Sequence, residues 1–104
     1  MATAATQQDP VSVDPKHYTV ELENERVRVL RIRYGPGEKS EMHSHPEGVL
    51  VFVTDAEARF TYPDGKTEDI RGKAGEVAPL HAMTHLPENL SDKSFEVVLV
   101  ELKG

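Results

Sequence analysis

The chain contains no cysteine. Disulfides, thiolate metal sites and cysteine nucleophiles are therefore excluded. Basic residues are in the minority, 12 against 18 acidic ones, for a formal charge of −6. Nucleic acid and anionic membrane surfaces want a basic patch, so neither is an expected partner. No apolar run approaches the roughly 20 residues of a membrane helix. The start, M-A-T-A-A-T-Q-Q-D-P, lacks the charged region and apolar core of a secretory signal and the arginines of a transit peptide. A cytoplasmic protein is the expectation. Also missing are a helical apolar period sustained over three turns, an internal repeat and a low-complexity stretch.

What remains is a pattern of short strands. At 104 residues the chain is one domain with one modest core. Residues 1–16 read as a flexible segment that a dimer interface would order, with a short edge strand at Val11–Val13 and a turn at Asp14-Pro15. From 17 to 104 a single barrel is expected. Tyr18, Val20 and Leu22 alternate with polar residues, the mark of a half-buried strand. In Arg26–Tyr34 the apolar parity switches at Val29-Leu30, which predicts a bulge there. Arg26, Arg28, Arg31 and Arg33 fill the other positions and read as a solvated face, with anion binding as the second reading. Gly35-Pro36-Gly37 is a turn. Val49–Val53 is apolar on both faces and predicts a central buried strand. Ala58–Tyr62 and Thr67–Arg71 flank an Asp64-Gly65 hairpin turn. Val77–Leu86 is extended with an interruption at Pro79, Pro87-Glu88-Asn89 is loop, and Phe95–Leu102 is the most apolar strand. About eight to ten short strands with turns every 8–12 residues predict an all-β sandwich or barrel.

The chemistry concentrates in histidines. His43 and His45 lie two apart, so in a strand both rings share a face about 6–7 Å apart and can chelate one ion. His81 and His85 form a second pair, His81 lying 36 residues beyond His45. A closed barrel lets strands distant in sequence face each other across its interior, which would bring His43, His45 and His85 together. His17 has no partner in the sequence and is assigned no role.

Gly37, five residues, His43, one residue and His45 resemble the first cupin motif. A degenerate second motif follows: Gly75, His81 where proline is usual, Met83 where glycine is usual, then His85 and, after three intervening residues, Asn89. The resemblance spans residues 17–102. It implies a double-stranded β-helix, or jelly-roll barrel, with a metal near its mouth. The family's ligands are both motif-one histidines, a glutamate three or four residues later and the motif-two histidine. These carry over to His43, His45 and His85. The glutamate's places hold Val49 and Leu50, which cannot bind metal. His81 and Glu47 are the candidates for a fourth ligand or a hydrogen-bond partner behind the ligands.

Three neutral imidazoles leave a divalent ion its full double charge and open coordination positions. Imidazole suits Fe, Zn, Ni and Cu alike. The expected cofactor is a divalent ion, Fe(II) favoured, with Zn, Ni or Mn as alternatives. Its ligand is expected to be a small, mostly apolar chelating molecule such as an enolate, carboxylate or oxo acid. The expected pocket lining is Val49, Leu50, Val51, Phe52, Phe60 and Met83. Three-histidine cupins that resemble this pattern include iron-dependent dioxygenases, the first functional expectation. The others are a non-catalytic sensor or storage module and a metal-assisted isomerase or decarboxylase. Because strands 49–53 and 95–102 carry more apolar surface than one small barrel hides, a homodimer through sheet edges is expected.

Overall fold

The computed structural model describes residues 8–104. The expectations placed on residues 1–7 lie outside the described residues. Among the described residues, nine strands follow one helical turn, α1, at Pro10–Val13. They are β1 (Tyr18–Glu23), β2 (Val27–Tyr34), β3 (His43–His45), β4 (Gly48–Phe52), β5 (Ala56–Thr61), β6 (Thr67–Gly72), β7 (Val77–Leu80), β8 (Met83–Asn89) and β9 (Phe95–Leu102). Two antiparallel sheets result, in the orders β1-β2-β9-β4-β7 and β3-β8-β5-β6. This is the jelly-roll arrangement that the strand spacing and the motifs led us to expect. Among the described residues no helix is long and apolar enough to cross a membrane.

The period-2 pattern accounts for the core. Leu30, Ile32 and Tyr34 of β2 and Phe95, Val97 and Leu99 of β9 are all buried, and Leu30 and Leu99 are fully enclosed. They meet Phe52, Ala58, Phe60 and Leu80 between the sheets. The remaining parity of the five-stranded sheet is apolar too. Leu22, Val29, Val100, Val49 and Pro79 form one row across all five strands on its outer face. Val98, Val51 and Val77 form a second.

That outer face explains a correction. The parity switch at Val29-Leu30 does not place a bulge in β2, which pairs with β9 without a break. The extra residue is Glu21 of β1, where the register slips between Val20 and Leu22, opposite Leu30 and Val29. β2 is apolar on both faces: Leu30, Ile32 and Tyr34 enter the core, while Val27 and Val29 lie half-buried on the outer face of the sheet.

Further expectations change. Val11–Val13 is not an edge strand but most of α1, whose Pro10 is buried. The segment from Gln8 is held by this chain itself, through a Ser44 N–H bond to the Gln8 carbonyl and an Arg28–Asp9 ion pair. The break after Val77 falls at His81-Ala82 rather than at Pro79. Pro87-Glu88-Asn89 is strand, and the Pro87 carbonyl accepts the Ser40 N–H. The Asn89 side chain does tie loops, bonding the carbonyls of Gly35 and Lys93.

Gly48 marks a close approach of β4 to β9. A Cβ there would lie 2.3 Å from the Val100 carbonyl oxygen. Backbone must move to admit it, so Gly48→Ala is expected to destabilise the protein by about 1–3 kcal/mol. A thermal melt reads this directly, and an unshifted Tm would refute the contact.

Candidate metal centre

His43 and His45 stand on β3 with the same parity, as the spacing requires. Their neighbour is β8, and His43 pairs directly with His85 in the ladder. All three rings therefore project from one face of one two-stranded ladder. This corrects the expected route to convergence. The rings do not meet across the barrel; they meet because directly paired residues have Cβ atoms about 5 Å apart.

Ring centroids lie 4.7 Å apart for His43–His45, 5.0 Å for His43–His85 and 5.1 Å for His45–His85, each pair near perpendicular. One nitrogen from each ring falls within 4.8 Å of the others. Residue exposure is 0%, 5% and 2% for His43, His45 and His85. Burial first, and the neighbouring histidines second, push the pKa of His43 down to about 4 and that of His85 to about 2. Both rings are neutral at physiological pH, with lone pairs free.

The hydrogen bonds fix which nitrogens are bare. His43 Nδ1 donates to the Glu41 carbonyl at 2.8 Å, leaving Nε2 without a partner. His45 Nδ1 donates to the Glu101 carboxylate at 2.9 Å, so its Nε2 carries the lone pair. Neither nitrogen of His85 has a hydrogen-bond partner. Buried polar nitrogens left orphaned are uncommon in folded proteins. His43 and His85 present such nitrogens, His45 adds the lone pair of its Nε2, and the three together fit a cation. Donors about 2.1 Å from an ion lie about 3.0–3.4 Å from each other, so ring movements of about 1 Å close the set.

Glu101 was not anticipated from the sequence. It comes from β9 in the opposite sheet and is 3% exposed. Burial opposes its ionisation, but the bonds from His45 and from Arg28 Nε, the latter at 2.8 Å, outweigh that and lower its pKa. Arg28 also pairs with Asp9. The signal was present in F-E-V-V-L-V-E-L: Glu101 shares the inward parity of Phe95, Val97 and Leu99. A carboxylate behind a ligating histidine fixes its tautomer and raises its basicity. Glu101→Gln is expected to weaken divalent-ion affinity by about 10–100-fold, read by competition with a chelating dye. Unchanged affinity would remove Glu101 from the site.

His17 was also missed. It is buried, bonds Asp14 at 2.7 Å and Glu38 at 3.1 Å, and stacks on Tyr34 with centroids 4.3 Å apart. Asp14 accepts a hydrogen bond from Ser40, whose hydroxyl also lies 3.2 Å from His43 Nδ1. The Tyr34 hydroxyl bonds that of Tyr18, and Tyr18 packs edge-on to His43. Tyr62 bonds Glu68 at the surface.

The other expected site residues separate. His81 and Glu47 are exposed and stand outside the histidine cluster. Leu50, Phe52 and Phe60 line the interior cavity beside His45 and His85. Val49 and Val51 do not, because their parity puts them on the outer sheet face. Met83 packs against the core next to His45 without lining the cavity. Of the arginines, Arg28, Arg31 and Arg33 are engaged with Asp9, Glu21, Glu96 and Glu101 rather than simply solvated.

The site is thus an all-nitrogen candidate metal centre inside a jelly-roll barrel. Solved structures of the same fold carry the family name. The chain is similar to a cupin domain from Bordetella pertussis Tohama I at 29% identity, covering 84% of this chain and 92% of that one with a TM-score of 0.76. It is also similar to a conserved protein with a double-stranded β-helix domain from Klebsiella pneumoniae, at 24% identity, coverage of 84% and 76%, and a TM-score of 0.66. The polyketide cyclase RemF from Streptomyces resistomycificus shares the fold at 15% identity, coverage of 82% and 63%, and a TM-score of 0.59. No family model and no curated protein matches the chain. The chain is a small protein with the cupin fold.

Proposed function

We propose that this cupin holds one divalent ion through His43, His45 and His85, with Fe(II) favoured, and acts as a dioxygenase-like protein on a small chelating anion. The carrying observation is the set of bare, buried ring nitrogens turned toward one another. When bound, the ion would supply Lewis-acid or redox chemistry at its open positions. The chain's own residues prepare it. Glu101 holds His45 in the tautomer that leaves Nε2 bare, and the Glu41 carbonyl does the same for His43. Leu50 lines the cavity where a carboxylate ligand would add negative charge, so the ion keeps its double charge and attracts an anion. Phe52 and Phe60 exclude water. Oxygen uptake by Fe(II)-loaded protein, against a panel of small β-dicarbonyl, thiol and oxo-acid compounds, tests this reading. Silence across the panel with the ion still bound would reject it.

One observation favours a second reading, a non-catalytic module that binds a metal or small ligand. All three histidines are nearly inaccessible and the cavity beside them is small, about 50 Å³. A ligand recovered with purified protein, without turnover, would support it.

We also propose that two copies pair. The sheet edges are poor interfaces: β7 carries Pro79, and β1 is broken by a bulge and carries Glu21 and Glu23. The outer face of the five-stranded sheet suits the role better, with Val77 65% exposed and Leu22 and Leu102 also exposed. Its charges, Arg31 and Arg33 against Glu21 and Glu96, cancel in internal pairs, so an identical face meets no net repulsion. Five strands about 4.8 Å apart offer on the order of 500 Å² per copy, near the lower bound of a specific interface. Light scattering should return twice the 11.6 kDa chain mass, and Val98→Lys should return the chain mass alone. A wild-type monomer at micromolar concentration would reject the pairing.

A further inference from the structure

The space between the two sheets is not completely filled. A cavity of about 50 Å³ remains, bordered by Leu50, Phe52, Phe60 and Leu99 together with His45 and His85. Its polar neighbours are mostly spoken for. The Tyr18 and Tyr34 hydroxyls, also at its wall, bond each other at 2.8 Å. His45 Nδ1 is engaged by Glu101. The polar atoms left without a partner are the His85 nitrogens and His45 Nε2, which belong to the three-histidine cluster rather than to the apolar wall.

Water needs two to four polar partners to reside in a cavity, and apolar cavities stay dry. A dry cavity of about 150 Å³ takes benzene, a molecule of six heavy atoms. One of a third that size takes two or three. A six-membered ring is therefore too large for it, and an apolar diatomic molecule fits.

We propose that this cavity is a binding site for a small apolar gas molecule of two or three non-hydrogen atoms, dioxygen being the reactive one that aerobic solution supplies. The site would concentrate that molecule beside His45 and His85. Its role in turnover rests on the function proposed above; its existence does not, because the wall is built by core residues of both sheets without any ion. Ile70 of β6 also reaches the cavity and is only half-buried, on an edge strand with room to yield.

Xenon is the probe, because it is apolar, monatomic and visible in electron density. Crystals of metal-free, full-length protein under xenon pressure should show one xenon peak between Leu99 and Phe60. Ile70→Phe should abolish that peak while leaving divalent-ion stoichiometry unchanged. Water density hydrogen-bonded to His85, or an empty cavity under xenon, would overturn the proposal. Xenon binding in protein that takes up no metal would sink the metal reading and leave the cavity standing. Metal binding without xenon would do the reverse.

Discussion

Replacing His45 by Ala is expected to abolish divalent-ion binding. The wild-type chain, expressed in metal-replete medium, should carry about one divalent ion, and the variant close to none. Structural sites of this kind hold their ion with about 10–16 kcal/mol shared among three or four ligands. Losing one ligand then costs roughly 3–5 kcal/mol, a fall in affinity of about 10²–10³-fold or more. His45 has two roles in that loss: it donates Nε2, and it gives the buried Glu101 carboxylate its hydrogen bond. His81→Ala and Glu47→Gln are the controls. Both side chains are exposed and lie outside the cluster, so both variants should retain their ion. Elemental analysis of tag-free protein checks all four. Full stoichiometry in His45→Ala would dismantle the centre.

The metal-free protein is expected to lose stability as pH falls from about 6.5 toward about 4. In the unfolded chain His43 and His85 titrate near 6.5; in the folded protein burial lowers them to about 4 and about 2. Across that window the unfolded state takes up protons that the folded state refuses, so the equilibrium moves toward unfolding. Each histidine costs about 1.4 kcal/mol per pH unit below 6.5. By pH 4.5 the two together cost on the order of 5 kcal/mol, comparable to the whole stability of a small domain. The depressed carboxyl groups of Glu38, Glu96 and Glu101 add their losses only at lower pH, below their ordinary value of 4.5. Urea titrations at pH 7.5 and 5.5 separate the effects. His85→Leu should halve the slope in this window and leave the acid limb in place. Added divalent ion should restore stability by mass action. A flat profile between pH 7.5 and 5.5 would contradict the neutral, buried histidines.

Much of the architecture was readable from local alternation. Ile32, Tyr34 and Phe60 declare their inward face by alternating with polar neighbours, and the Asp64-Gly65 turn declares its hairpin. In β1 the alternation of Tyr18, Val20 and Leu22 misleads, since only Tyr18 is buried and the strand slips register at Glu21. Val49 and Val51 were misread for the same reason that β2 was. An apolar residue on a strand is written alike whether it faces a core or an outer sheet surface. α1 escaped notice because a single turn of four residues has no period to detect.

By itself the sequence determined that the chain is a set of short strands, that His43 and His45 share a face, and that no glutamate follows them at the cupin spacing. Only the tertiary structure decided that β3 lies against β8 in the register that sets His43 opposite His85. It alone brought Glu101 from the other sheet onto His45 and kept His81 out at the surface. Alternation is a property of neighbours in the chain and survives in one dimension. Register, and contact between sheets, depend on residues 42 and 56 positions apart, and no local pattern records which of them will meet.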